Sequence, residues 1–353
     1  MTHSDLIVAP QVRDLEALSR HLEGWMLRQM PQARDLRLEN LAYPIGAGRS
    51  HETILFDAAW TEDGSPRSQG FVVRIKPTEH TVFPDDLFEQ QYRVMKALHE
   101  QGRVKVAKVF WYETDPEILG APFFVMEKKR GRVAVNSPPY AQSGWVKDAT
   151  PEQRRKLWEN GVRQLAAIPG TPLSTVQFLE GPPGARSGLE QEFDKYTRFV
   201  AWVRKAHDSD VLEETLGELR RRWPKNQPEG LVWGDARLGN MMFDENFEVV
   251  AVMDWEQPSL GGALHDLAWW AHMDRAFHGG MPGRPRLDGM GTREETVALW
   301  REVSGLPTDD FEWYEEFTGL KVAVLSIRMA VLKGQPIPDG AALARHIRGP
   351  SGR

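Results

Sequence analysis

The sequence predicts an α+β chain in two lobes, a β-rich N-lobe with one main helix and a mostly helical C-lobe. Three observations carry this reading. Strand-like segments dominate as far as residue 127. Helix starts marked by capping boxes recur from Thr150 onward. One pair of short apolar runs, Leu231–Trp233 and Val249–Met253, breaks the helical half. A chain of 353 residues, 41% of them hydrophobic, is long enough for two lobes. The boundary is placed after residue 128, giving lobes of 1–128 and 129–353.

Taken in order, Leu15, Leu18, Leu22, Trp25 and Met26 recur at helical spacing and open the chain on an amphipathic helix over 12–30. Segments 37–43, 52–60 and 70–76 read as strands, the last two joined by the turn-rich Glu62–Pro66. Asp86–Gln101 reads as a helix, and strands follow at 107–113 and 122–127. Composition changes near Gly131. Thr150-Pro151-Glu152-Gln153 supplies an N-cap, a proline at N1 and a glutamine at N3. Ser187–Glu190 and Thr292–Glu295 repeat the pattern. Helices are expected at about 151–168, 187–207, 209–223, 262–276, 292–304 and 309–332. The Gly/Pro-rich segment 277–291 is expected to be a mobile loop.

Composition excludes several functions. No apolar run reaches the 18 residues of a membrane span, and the N-terminus lacks the basic and apolar regions of a secretory signal. With no cysteine there is no disulfide framework and no thiolate nucleophile. A net charge of −6 argues against a nucleic-acid partner bound through phosphate neutralisation. The basic cluster Arg220–Arg222 closes a predicted helix, where cations complement the helix dipole. A cytoplasmic protein fits all of this. The 13 tryptophans, Trp158, Trp202, Trp269 and Trp300 among them, are expected to pack rather than to bind.

The stretch richest in chemistry is Leu231–Glu256, LVWGDARLGNMMFDENFEVVAVMDWE. Both of its apolar runs read as buried strands that end near an aspartate, Asp235 after a glycine and Asp254 directly. Asn240 lies five residues past Asp235. Two carboxylates and an amide at one rim can orient a hydroxyl and hold a hard cation, which is the set that phosphoryl transfer uses. D-x-x-x-x-N is also the spacing of a kinase catalytic loop. Earlier, Ile45–Ser50 (IGAGRS) forms a glycine-containing turn between strands, able to bring backbone N–H groups to phosphate oxygens or to be only a turn. Arg74 and Lys76 share one face of a strand, as phosphate-binding cations or as charges on a solvated edge. Phe123–Glu127 runs into the polar connector Lys128–Gly131, which can meet an adenine edge or simply link the lobes.

The order of these parts is protein-kinase-like, and the chain resembles the aminoglycoside phosphotransferase/choline kinase-like family. The likeness is greatest to the branch found in actinobacteria and in acyl-CoA-dehydrogenase-associated kinase domains. It rests on LVWGDARLGNMMFD, VAVMDWE and HDLAWW at 265–270, with support from PFFVMEKKRGR, and spans about residues 40–330. The resemblance implies a protein-kinase-like bilobal fold, with ATP and Mg2+ as cofactors and a small hydroxylated molecule as acceptor. It implies Asp235 as catalytic base, Asn240 and Asp254 on the metal, and Asp266 as a brace for the catalytic loop. Gly46, Gly48, Arg49 and Ser50 would lie over the nucleotide phosphates, with Arg74, Glu127 and Lys129 also on the nucleotide. The chain departs from the family where Trp233 replaces a frequent histidine, where Arg74 stands for a lysine, and where Gln91 rather than an acid follows on the helix, Glu89 lying near. Two alternatives stand beside a small-molecule kinase: a kinase-like nucleotide-binding protein with little transferase activity, and a metal-dependent hydrolase. The acceptor itself is not encoded in any motif.

Overall fold

The computed structural model describes residues 13–44, 51–78, 82–181, 183–186, 188–205, 210–279 and 286–348. Helix α1 (Leu15–Gln29) leads into β1 (Arg34–Ala42), β2 (Glu52–Glu62) and β3 (Ser65–Ile75). Then come α2 (Phe88–Gln101), β4 (Val109–Glu113), the short α3 (Pro116–Leu119), β5 (Phe123–Glu127) and β6 (Arg132–Val133). Helices α4 (Trp145–Asp148), α5 (Pro151–Ala167), α6 (Gly188–Val203) and α7 (Asp210–Arg221) precede β7 (Met241–Phe243) and β8 (Val249–Val252). The chain continues with α8 (Leu264–Phe277), α9 (Arg293–Ser304), α10 (Phe311–Lys333) and α11 (Gly340–Arg348). It forms two compact units, one of Met1–Thr81 with Ala107–Arg130, the other of Val82–Val106 with Gly131–Arg353.

The first unit is an antiparallel sheet in the order β1-β2-β3-β5-β4. Alternation along β2, β3 and β5 places Phe56, Phe71 and Phe123 in one core with Leu18, Leu22, Trp25 and Met26 of α1. Asp14 caps that helix by accepting from the N–H groups of Glu16 and Ala17. Trp25 anchors the core: its ring lies 4.8 Å from that of Phe123, and its Nε1 donates to Glu113 at 2.7 Å. Because β3 sits inside the sheet, Arg74 is not an edge charge. It is 8% exposed, with Nη2 3.1 Å from His51 Nδ1.

The second unit is helical, as its capping boxes require. Thr150 and Thr292 each accept from the N3 backbone while Gln153 and Glu295 reach back to the cap. Arg220 pairs with Glu190 and Arg222 with Glu316, so the basic cluster ties helices together. Residues 286–291 of the segment expected to move are fastened down. Arg154 Nε donates to Asp288 O at 2.7 Å, Leu287 N donates to His278 Nε2 at 2.7 Å, and Gly291 lies directly on the Trp158 ring.

The expectation of two strands at Leu231–Trp233 and Val249–Met253 needs correcting. The second holds as β8, but its neighbour is β7, in a three-stranded sheet ordered β6-β7-β8. Among the described residues, Leu231–Trp233 is buried without a ladder, making one isolated bridge from Val232 to Ser259. Apolar periodicity reports burial and cannot say whether a strand or a side chain will satisfy the backbone.

Trp25→Ala is expected to cost about 3–5 kcal/mol in chemical unfolding, the usual range for emptying a packed aromatic site. Trp25→Phe, which mainly loses the Glu113 bond, should cost roughly 1 kcal/mol beyond its packing change.

Candidate active site

The loop after Leu231–Trp233 is built by α8. Asp266, 3% exposed in the first turn, accepts from Trp233 N–H at 2.6 Å and from Gly234 N–H at 2.9 Å. Both carboxyl oxygens are thereby spent on one turn of backbone. Gly234 has φ +99°, and any side chain on it would strike the carbonyl of Gln257. The turn so formed ends in Asp235.

Asp235 is held on three sides. Trp269 Nε1 donates to Oδ1 at 2.9 Å, while Asn240 Nδ2 and Arg237 Nε reach Oδ2 at 2.7 and 3.0 Å. Its side chain retains 32% exposure, so it is fixed without being sealed in. Asn240 also donates from Nδ2 to the backbone O of Asp235 at 3.0 Å. With its amide nitrogen committed to Asp235, its carbonyl oxygen is the end that can meet a cation. Register brings the second aspartate near: Met253 N–H donates to Asn240 O at 2.8 Å, one residue before Asp254. Asp254 itself has φ +63°, a left-handed conformation that aspartate tolerates better than most residues. Trp233 Nε1 donates to Met253 O at 2.8 Å, so the indole clamps the aspartate loop to the hairpin.

The structure thus brings Asp235, Asn240, Asp254 and Asp266 together in the second unit. An amide oxygen and a carboxylate suit a hard divalent cation that keeps several waters and takes other ligands from a phosphate. Among the described residues there is no cluster of three or more His, Asp or Glu side chains of metal-binding geometry. In the first unit, Glu127 and Lys129 form an ion pair at 2.9 Å. Gly46, Gly48, Arg49 and Ser50 lie outside the described residues. Gln91 is fully buried, whereas Glu89 is exposed and pairs along α2 with Arg93 at 3.7 Å.

Two residues of the site escaped sequence reasoning. Trp269 is among the tryptophans expected only to pack, yet its N–H holds Asp235. Its spacing from Asp266, i and i+3, would have put both on one helix face. Arg237 lies inside the D-x-x-x-x-N motif, but nothing in that spacing says it folds back onto the aspartate.

Burial controls the charges on α8. It pushes Asp266 up to about 7, against the pull of its two N–H donors. It pushes His265 and His272 down to about 3, with neighbouring cations assisting.

The sequence model of the phosphotransferase enzyme family matches residues 43–306. Acyl-CoA dehydrogenase family member 11 of Homo sapiens is 27% identical over 260 residues, 72% of this chain and 30% of that protein. Family member 10 of Mus musculus is 26% identical over 264 residues, 72% of this chain and 24% of that one. The chain spans about a third of the length of such curated relatives. Among solved structures, a candidate aminoglycoside phosphotransferase from Ralstonia eutropha superposes with a TM-score of 0.67 at 23% identity, covering 93% of this chain and 94% of that one. Amicoumacin kinase bound to AMP-PNP, Ca2+ and its substrate gives 0.54 at 15% identity, covering 95% of each chain. The protein-kinase-like α+β fold expected from the order of elements is therefore the fold of this chain.

The α8 groups make stability depend on pH with a definite sign. His265 and His272 are neutral when folded but titrate near 6.5 when unfolded, so below that pH the unfolded chain holds two more protons there. Asp266 opposes them, keeping one proton when folded that the unfolded chain has lost above about 4. Well below pH 6.5 the balance is one proton, so between about pH 5.5 and 4.5 these three groups should remove about 1.4 kcal/mol of stability per pH unit. His272→Gln should flatten that slope in a denaturation series, and an unchanged slope would contradict the assignment.

Proposed function

Since this chain belongs to the phosphotransferase enzyme family, we propose that it is an ATP- and Mg2+-dependent small-molecule kinase. The observation that supports this most is the Asp235 carboxylate fixed by Trp269, Asn240 and Arg237, with Asn240 bonded to the hairpin that carries Asp254. The acceptor's hydroxyl oxygen attacks the γ-phosphorus and the bond to the bridging β-oxygen breaks, giving ADP and a phosphomonoester. Asp235 orients the hydroxyl and receives its proton. Arg237 holds the Asp235 carboxylate in one orientation. That suits a loose transition state, in which positioning matters more than early proton removal.

Asn240 and Asp254 would hold the cation, which when bound neutralises charge developing on the phosphates. Nucleotide roles are proposed in the first unit for Arg74, Glu127 and Lys129, and for Gly46, Gly48, Arg49 and Ser50. Solved relatives of this fold include one holding ADP with hygromycin B and one holding AMP-PNP with Ca2+, which is consistent with a nucleotide and a divalent ion here. No helix among the described residues is long and apolar enough to cross a membrane.

A second reading, nucleotide binding with little transfer, draws on Arg74. Its guanidinium is buried beside His51, and a planar guanidinium differs in reach and geometry from a lysine's point charge. ADP release over a panel of aminoglycosides, choline-like alcohols, sugars and hydroxyacyl compounds separates the two. Release with any member supports the kinase; tight ATP binding with none supports the alternative.

Asp235→Asn should lower turnover by about 100-fold or more, the scale of a lost general base, while ATP binding survives. Asp254→Ala should instead weaken nucleotide binding only when Mg2+ is present, as read by calorimetry with and without the metal.

A further inference from the structure

Behind Asp266 lies a group of charges that the proposed chemistry does not use. Lys321 on α10 and Glu192 on α6 are each 3% exposed and pair at 2.8 Å. The ammonium also lies 3.2 Å from His265 Nδ1, and 4.7 and 4.6 Å from the rings of Tyr196 and Phe317. Lys195, 9% exposed on α6, and Asp266 complete the charges around it. The other oxygen of Glu192 accepts from Ser259 Oγ at 2.7 Å. Gly261 allows that approach, since a side chain there would begin 2.7 Å from Glu192 Cβ.

Burying an ion pair seldom adds stability, because stripping water from both charges offsets their attraction. What this pair does possess is connection. Through Ser259 it reaches Val232, which exchanges both backbone bonds with Ser259 at 2.8 and 3.3 Å. Through His265 it reaches Asp266, the next residue, which grips Trp233 and Gly234. Both routes end on the three residues immediately before Asp235.

We propose that Glu192 and Lys321 are positioning residues for Asp235, fixing Val232–Gly234 from two sides and thereby the direction of the carboxylate. The proposal rests on Asp235 being the reacting group, but its position can be read without turnover. The variant is the double substitution Glu192→Gln with Lys321→Met, which removes both charges of the pair together so that neither is left buried without the other, its fold checked by the unfolding midpoint. The probe is the set of indole N–H resonances in protein labelled with 15N-tryptophan. Trp269 reports its bond to Asp235 and Trp233 its bond to Met253, each assigned by substitution to Phe, with Trp25 as a control.

The expected result is that the Trp233 and Trp269 resonances shift or broaden while that of Trp25 stays fixed. Coincidence of both with the parent spectrum overturns the proposal. If they move but no panel member releases ADP, positioning stands and the kinase reading suffers. With a phosphorylated acceptor in hand, kcat should fall between about 10- and 100-fold at unchanged KM for ATP. An unchanged kcat overturns the catalytic consequence.

Discussion

The two hydrogen bonds that Asp266 accepts from Trp233 and Gly234 are what the site depends on. Leu231–Trp233 is too buried to be hydrated and, apart from the Val232–Ser259 bridge, has no neighbouring strand among the described residues. A buried N–H without a partner costs about 1–3 kcal/mol, so something must supply an acceptor. The Asp266 carboxyl group of α8 does so, and in doing so sets where the next residue, Asp235, leaves the backbone. The site is thus founded on a helix, and the sheet contributes only the hairpin that returns with Asp254.

That foundation explains the density of polar groups in an otherwise apolar helix. Residues of α8 from Leu264 to Trp270 are buried all round, yet His265, Asp266 and Trp269 each direct a polar atom to a defined partner or neighbour. Such a network is stable only when its members are matched, because low local polarity strengthens good pairs and penalises orphans alike. Rigidity around Asp235 follows from the three donors that close on its carboxylate, and preorganised charge is what a phosphoryl-transfer site needs.

Much of this was legible in the residues, for identifiable reasons. Capping boxes at Thr150 and Thr292 fix helix starts locally, so α5 and α9 begin where the pattern says. That Asp235, Asn240 and Asp254 gather in one place was legible because their spacing along the chain sets it. Leu231–Trp233 was misread as a strand because its partner, Asp266, lies some thirty residues away and leaves no periodic trace. Arg237 and Trp269 were missed because their roles arise only after folding, when a guanidinium and an indole close on the same carboxylate. Arg74 is buried since its strand is interior, a matter of sheet order that its own sequence does not contain.

The grouping of residues 82–106 with 131–353 has a consequence for any attempt to take the protein apart. Lys105 supplies the carbonyl that receives Val252 N–H at 2.7 Å, and its own N–H donates to Gln164 at 2.9 Å. Arg93 of α2 lies 4.0 Å over the Phe178 ring. A fragment cut after Arg130 would carry α2 without these partners, and one starting at Gly131 would lose a bond at the strand leading to Asp254. The second unit is therefore not a contiguous stretch of gene, and expressing or transplanting it intact requires stitching two segments of the chain.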